Sequence, residues 1–425
     1  PKSPEFLQEV EREIQAVVKQ LRNETAIVLW CGNNELQWLH ERNKEITGKR
    51  DLEFPDYDIY HILMPRLLKD LDPTRPFWPS SPYGGSDPNS ENEGDRHFWD
   101  VSILIEDLKE RVNYENYARD RGKFISEFGI LAPPVLESLR EFIPEEELFL
   151  DSPSWQFHNN VFERENIRGM LREFVKDPEC LSFPEYLRFA QLLQGEALKF
   201  ALEHWRRRKF LTAGALFWMY SDCWGAIGWT VIDYYLRKKP SYYFVRRAFQ
   251  PVDLSLRQGE HAVELFVVND TPETLALAVE YGLSCFDGQE ITSGNLSCHI
   301  PPNSSRKVGV VPCGAAKARP SEVFFWARLL DGDRVLDWER CFFVRFKDLK
   351  LEKARVDWDI VSEKGETFIE LVSPVFAWFV NVELPSSFTP EDNYFDLFPG
   401  KVRRLKITGE GELKKQDVKI SWNNA

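Results

Sequence analysis

Long apolar runs are absent from this 425-residue sequence. Without a stretch of about 18 apolar residues, no membrane-spanning helix is expected. The opening PKSPEFLQEVEREIQ also lacks the charged, apolar and small-residue zones of a secretory signal, so a cytoplasmic location and no membrane partner are expected. Cysteine is scarce and unpatterned. Cys31, Cys180, Cys223, Cys285, Cys298, Cys313 and Cys341 make an odd seven, widely scattered, with no C-x-x-C pair. That argues against a zinc site or disulfide framework and for a reducing compartment. Basic residues are outnumbered, 54 Lys and Arg against 68 Asp and Glu, leaving a formal net charge of -14. No nucleic-acid partner is expected, because such binders concentrate Lys and Arg on one face. A neutral or small polar ligand fits better. Low-complexity segments and solenoid repeats are missing too.

Aromatic residues, by contrast, are plentiful: 14 Trp, 13 Tyr and 31 Phe, many beside Asp, Asn, Glu or His. Aromatics normally mean core or interface. Near carboxylates they also suit stacking on the apolar face of a sugar. The chain is longer than one hydrophobic core usually serves, which predicts two or three domains.

From Pro4 to about Leu21, Phe6, Leu7, Val10, Ile14, Val17, Val18 and Leu21 recur at helical spacing and predict an amphipathic helix. The run TAIVLW then predicts a buried strand with the polar tip CGNNE. RPFWPSSP, KFISEFG and AGALFWMYSD repeat that pattern, and a long helix is predicted over about Phe183 to Arg208. Strands alternating with helices and ending in polar groups predict the parallel sheet of a (β/α)8 barrel. Too few strand units precede residue 240 to make eight, and a helix comes before any strand, so the barrel is expected to be partial. From about Phe244 the texture changes. HAVELFVVND, RKVGVV and EVFFWARLL predict an antiparallel β-sandwich, and ETFIELVS, FAWFVNVEL and KVRRLKITG predict a second β-rich block from about Asp348. The fold class is therefore α/β plus all-β.

Glu35 stands at the tip of the first strand pattern and Glu127 at the tip of another. Two carboxylates raised at the same end of a barrel suit glycoside hydrolysis. Each taken alone is as readily a helix N-cap neighbour or an exposed loop charge.

The strings LWCGNNE and FISEFG resemble the acid/base and nucleophile motifs of family 2 glycoside hydrolases, in their β-mannosidase branch. RPFWPSSPYGG, GDRHFWDV, GALFWMYSDCWGAIGWTVIDYY and DNYFDLFPG resemble further segments of that family, in the family's order. The resemblance implies three domains. Residues 1–242 are the C-terminal part of the catalytic TIM (β/α)8 barrel, strands 4 to 8; residues 243–347 and 348–425 are two immunoglobulin-like β-sandwiches. It implies a retaining exo-glycosidase that removes terminal β-D-mannose from β-mannosides or manno-oligosaccharides without metal or cofactor.

Glu35 would be the general acid/base, beginning protonated, and Glu127 the nucleophile. Asn34 would hydrogen-bond the sugar 2-hydroxyl, with a turn-forming Asn as the alternative. His97 and Trp99 would line the sugar subsite, with core packing the rival for Trp99, and Trp218 would form the floor under the ring. Asp222, Trp224 and Trp229 would be structural, and His158 is as well read as a surface histidine.

Met219 and Ser221 stand where many β-mannosidases carry Gln and Asn, which leaves other family 2 exo-glycosidases open: a β-galactosidase, a β-glucuronidase or a β-glucosidase. Family members also carry an N-terminal sandwich, a second sandwich and three barrel strands before the equivalent of Pro4. The chain is therefore expected to be a fragment, or half of a split enzyme whose partner is the missing N-terminal half. A non-catalytic carbohydrate-binding fragment stays open as well, and the oligomeric state is not legible.

Overall fold

The computed structural model describes residues 3–160 and 165–425. They form two compact units. One comprises Pro1–Trp99, Arg119–Phe128 and Phe210–Phe217; the other comprises Asp100–Ala118, Gly129–Lys209 and Trp218–Ala425.

In the first unit, helix α1 (Pro4–Leu21) has the predicted bounds. Ser3 caps it by accepting from the Phe6 amide at 3.2 Å, and Pro4 at the first position gives up an amide that would have no helical partner anyway. The strand that follows is displaced from the expected TAIVLW. Strand β1 is Trp30–Asn34, so it begins where the apolar run ends. Before it, the Arg75 guanidinium takes the carbonyls of Arg22, Glu24 and Ile27 at 2.7, 2.8 and 2.6 Å. Backbone committed to a side chain is unavailable to a ladder.

β1 pairs in parallel with β2 (Phe77–Ser81), setting Trp30 beside Phe77, Asn33 beside Ser80 and Asn34 beside Ser81. Gly32 is needed there, since a Cβ would lie 2.4 Å from the Pro79 carbonyl oxygen. Parallel neighbours require a crossover, and helix α2 (Leu36–Thr47) opens it. A second parallel pair joins β3 (Arg96–His97) to β4 (Ile125–Glu127), with His97 beside Glu127. AGALFWMYSD, expected to be a strand, adds only the isolated parallel bridge Ile125↔Ala215.

The second unit contains helix α3 (Phe183–Arg207), within one residue of its expected end, and α4 (Pro240–Ala248). A capping box of Ser182 and Glu185 starts α3. Two antiparallel sandwiches follow. The first is built from β5 (Val252–Gln258), β6 (Ala262–Asn269), β7 (Leu275–Cys285), β8 (Glu290–Ile300), β9 (Ser304–Pro312), β10 (Val323–Asp331) and β11 (Arg334–Phe342), with sheet orders β11-β10-β7-β8 and β5-β6-β9. The second uses β12 (Asp357–Glu363), β13 (Glu366–Val372), β14 (Ala377–Glu383), β15 (Phe388–Pro390), β16 (Phe395–Leu397), β17 (Arg403–Gly409) and β18 (Lys419–Ser421), ordered β12-β13-β17-β15 and β16-β14-β18. Alternating inward residues build each core: Val263, Leu265 and Val267 on β6, and Ile369 and Leu371 on β13.

The helices do not part from the sandwiches at residue 242. Lys199 on α3 ion-pairs with Glu339, Arg340 on β11 reaches back to Glu196 and across to Asp396, and Arg247 on α4 meets Asp392 at 2.6 Å. Around this seam Phe174 packs on Phe346 and Trp378, and Phe286 on Phe324 and Phe376. Much of the aromatic bias is therefore packing between elements rather than a sugar platform.

Candidate active site

The site lies in the first unit, at the C-terminal ends of its parallel strands. Asn33, the penultimate residue of β1, is buried and spent on structure. Its Nδ2 donates to the Pro79 carbonyl at 2.6 Å, while its Oδ1 accepts from the Leu36 amide at 3.1 Å and the Ser80 hydroxyl at 2.7 Å. Asn34 is exposed, and its side chain makes no hydrogen bond among the described residues. Glu35 follows in the left-handed conformation, φ 63°, at the N-cap of α2, with its amide donating to Ser81 O at 2.7 Å. A non-glycine residue pays about 1–2 kcal/mol for that backbone state. Strain of this kind collects at functional positions.

The register of β3 beside β4 brings His97 to Glu127, and Glu35 arrives from β1. His97 Nδ1 lies 2.9 Å from Glu35 Oε1 and 3.2 Å from Glu127 Oε2. Trp99 Nε1 donates to Glu127 Oε2 at 3.2 Å. One polar atom from each of Glu35, His97 and Glu127 falls within 4.8 Å of the others. An imidazole and two carboxylates so close resemble a cation site. The 2.9 Å from His97 Nδ1 to Glu35 Oε1 is also hydrogen-bond distance. Burial pushes the Glu127 carboxyl upward; His97 opposes the shift, Glu35 adds to it, and the Trp99 hydrogen bond pulls it back.

Four of the six sequence candidates thus form one hydrogen-bonded group: Glu35, Glu127, His97 and Trp99. His97 is 1% exposed and Trp99 6%, so they turn ring nitrogens to the carboxylates and offer almost no surface to a ligand. That differs from the sugar-lining role expected of them: β3 and its flank are enclosed, and the rings hold carboxylates. Asn34 stands open beside Glu35. Trp218 belongs to the second unit, where it is 41% exposed and precedes Met219 through a cis peptide. There too, Asp222 accepts from Thr230 Oγ1 at 3.0 Å, Trp229 packs against a buried cluster, and His158 donates to Gly225 O at 2.6 Å while packing on the half-exposed Trp224.

The motif reading missed a layer behind His97. Ser81 Oγ stands 3.0 Å from His97 Nε2 and donates to Asp95 Oδ2 at 2.5 Å. Ser126 Oγ donates to the same oxygen at 2.6 Å. Asn89 grips the His97 backbone from both sides, accepting from its amide at 2.9 Å and donating to its carbonyl at 3.0 Å. The only sequence signal was the polar ending of RPFWPSS and the acid two residues before His97.

Family models described as a mannosidase Ig/CBM-like domain and an Ig-fold domain match residues 261–348 and 351–423. β-Mannosidase B of Aspergillus niger is 29% identical over 447 residues, covering 96% of this chain and 51% of that protein. Its counterpart in Aspergillus oryzae is 28% identical, covering 99% and 52%. Among solved structures, the β-D-mannosidase of Dictyoglomus thermophilum superposes with a TM-score of 0.87 at 34% identity, covering all of this chain and 51% of that one. An exo-chitosanase of Amycolatopsis orientalis, 17% identical with a TM-score of 0.72 over 98% of this chain and 53% of its own, shares the fold. The chain spans about half the length of these relatives. By motifs, sandwich domains and likeness along nearly its whole length, it is similar to β-mannosidases.

Proposed function

We propose that this chain carries the reacting carboxylates of a retaining exo-β-mannosidase, which removes terminal β-D-mannose by double displacement, and that its parallel strand pairs are part of a (β/α)8 barrel. The observation that carries the reading is the closeness of Glu35 and Glu127, with oxygens within 4.8 Å of each other and of His97. Retaining enzymes hold their carboxyl groups roughly 5–5.5 Å apart, whereas inverting ones leave about 6.5–9.5 Å for a water. The mannosidases to which the chain is similar supply the sugar.

In the first step Glu35 protonates the departing glycosidic oxygen while Glu127 attacks the anomeric carbon, forming a glycosyl ester. Glu127 must be ionised to attack, and the Trp99 indole N–H is placed to stabilise that anion. In the second step Glu35, now a carboxylate, takes a proton from water, which attacks the ester and releases mannose with its configuration kept. Glu35 is 22% and Glu127 14% exposed, enough for a sugar to reach both. The free amide of Asn34 is suited to the 2-hydroxyl.

The test is hydrolysis of an aryl β-D-mannoside, with gluco and galacto analogues alongside, by this chain alone and by a protein completed with the remaining half of a relative. Mannoside-selective turnover is expected in the completed protein, with the β-anomer first in the proton NMR spectrum and no turnover after Glu127→Gln. First release of the α-anomer would overturn the retaining mechanism. Sugar binding without hydrolysis in the completed, folded protein would leave a carbohydrate-binding function in place of the glycosidase.

A further inference from the structure

Behind the two carboxylates lies a buried chain of polar groups that the mechanism above does not use. Building on the reading of Glu35 and Glu127 as the reacting pair, we propose that Asp95, acting through Ser81, is a positioning residue that fixes which ring nitrogen of His97 carries the proton.

The argument is a count of protons. Ser81 has a single hydroxyl hydrogen and three neighbours that could accept it: Asp95 Oδ2 at 2.5 Å, His97 Nε2 at 3.0 Å and Ser126 Oγ at 3.2 Å. The charged and nearest acceptor wins, since hydrogen bonds to a carboxylate are shorter and roughly twice as strong as neutral ones. Ser126 gives its hydrogen to Asp95 at 2.6 Å, and the Tyr83 amide fills Oδ1 at 2.8 Å. Asp95, buried, thus receives three donors and offers none. Ser81 is left with a lone pair facing His97, so Nε2 must hold a hydrogen. Nδ1 then faces Glu35 Oε1 at 2.9 Å and Glu127 Oε2 at 3.2 Å as the position through which a proton is shared.

The opposite tautomer would set the ring's own hydrogen permanently between the carboxylates, in place of the carboxyl proton that the departing oxygen needs. Asp95 excludes that state, and the Asn89 grip stops the ring from sliding out of register. The titratable groups around His97 are Glu35 at the head of α2, Glu127 on β4 and Asp95 behind Ser81. Cys31 on β1, close enough to feel Asp95, has its thiol pushed up to about 11 by burial and adds no charge at neutral pH.

The tautomer can be read directly in this chain labelled with 15N-histidine, using two-bond proton–nitrogen spectra and assigning His97 by its loss in His97→Gln. The expected pattern is a protonated Nε2 from about pH 5 to 8, the window in which imidazoles titrate. Asp95→Asn should turn the Ser81 hydroxyl toward His97 and move the hydrogen to Nδ1, while Ser81→Ala should yield a mixture, a second reading if Asp95→Asn fails to fold. Nδ1–H in the parent chain, or the same tautomer in parent and both variants, overturns the proposal. In the completed enzyme Asp95→Asn should lower kcat about tenfold or more, as when a buried carboxylate that orients a catalytic imidazole is lost, with little change in KM. A tautomer that follows Asp95 in a protein that hydrolyses no mannoside supports the positioning role and sinks the glycosidase reading. An active enzyme with an unmoved tautomer does the reverse.

Discussion

Trp99 exerts leverage on Glu127 that its burial conceals. Its indole hydrogen is the donor that opposes the upward push of burial on the carboxyl. In the proposed mechanism rate rises with pH as Glu127 ionises, so Trp99→Phe, which leaves His97 alone to oppose the push of burial, should move the acid limb of kcat/KM to higher pH. A hydrogen bond to a charged group is worth about 1.5–3 kcal/mol, so rate on that limb should fall about tenfold or more in pH-rate profiles of an aryl mannoside. An unmoved limb would mean that Trp99 only packs. Glu35 and Glu127 were legible because each sits in a short string whose chemistry is local. Ser81, Asn89 and Asp95 were not: what makes them matter is a contact to His97 that depends on strand register and loop course, and a single serine or asparagine in a string carries no sign of it.

At the level of elements, Asn33 ties β1, β2 and α2 together through three hydrogen bonds. Asn33→Ala strips a cap-like acceptor from the start of α2 and takes from the Pro79 carbonyl its side-chain donor and from the Ser80 hydroxyl hydrogen its acceptor in a buried place. Losing a cap costs about 0.5–2 kcal/mol, and an unsatisfied buried group adds about 1–3 kcal/mol. The urea midpoint should fall accordingly; a midpoint unchanged within error would show that water replaces the side chain. Gly32→Ala should destabilise too, because its Cβ meets backbone oxygen rather than a side chain that can swing away. The helices were legible because apolar spacing repeats over many turns, as in α1 and α3. The first strand starts several residues late, and the segment before it gives the carbonyls of Arg22, Glu24 and Ile27 to Arg75, from far along the chain. No local pattern announces such a competitor.

Across the second unit, stability hangs on buried charge as well as on the two sandwich cores. Arg340 faces Glu196 and Asp396 together. Arg340→Met leaves two buried carboxylates uncompensated, a loss of about 3–5 kcal/mol by the usual cost of breaking a buried ion pair; thermal unfolding should show a lower midpoint. Nearby, burial pushes Asp337 from its ordinary 3.8 to about 6, although the Leu254 and Trp338 amides donate to it. A carboxyl whose folded value is raised favours the folded state while protonated. Its contribution is full below about pH 4 and is lost as pH rises through about 6. Urea unfolding across that range should therefore show a downward slope that Asp337→Asn flattens, and an unchanged slope in the variant would assign it to other groups such as Asp253, also raised by burial.

By itself the sequence carried the order of elements, the change from α/β to antiparallel texture, the resemblance to β-mannosidases, and two carboxylates that the fold brings together, because periodicity and motif strings are written in neighbouring residues. Tertiary structure alone decided where β1 starts, that His97 and Trp99 are buried with ring nitrogens against the carboxylates, that Asp95 and Ser81 stand behind them, and that much of the aromatic content is packing. Each of those outcomes depends on a contact between residues distant in the chain. Burial and hydrogen-bond competition are settled only when every neighbour is in place.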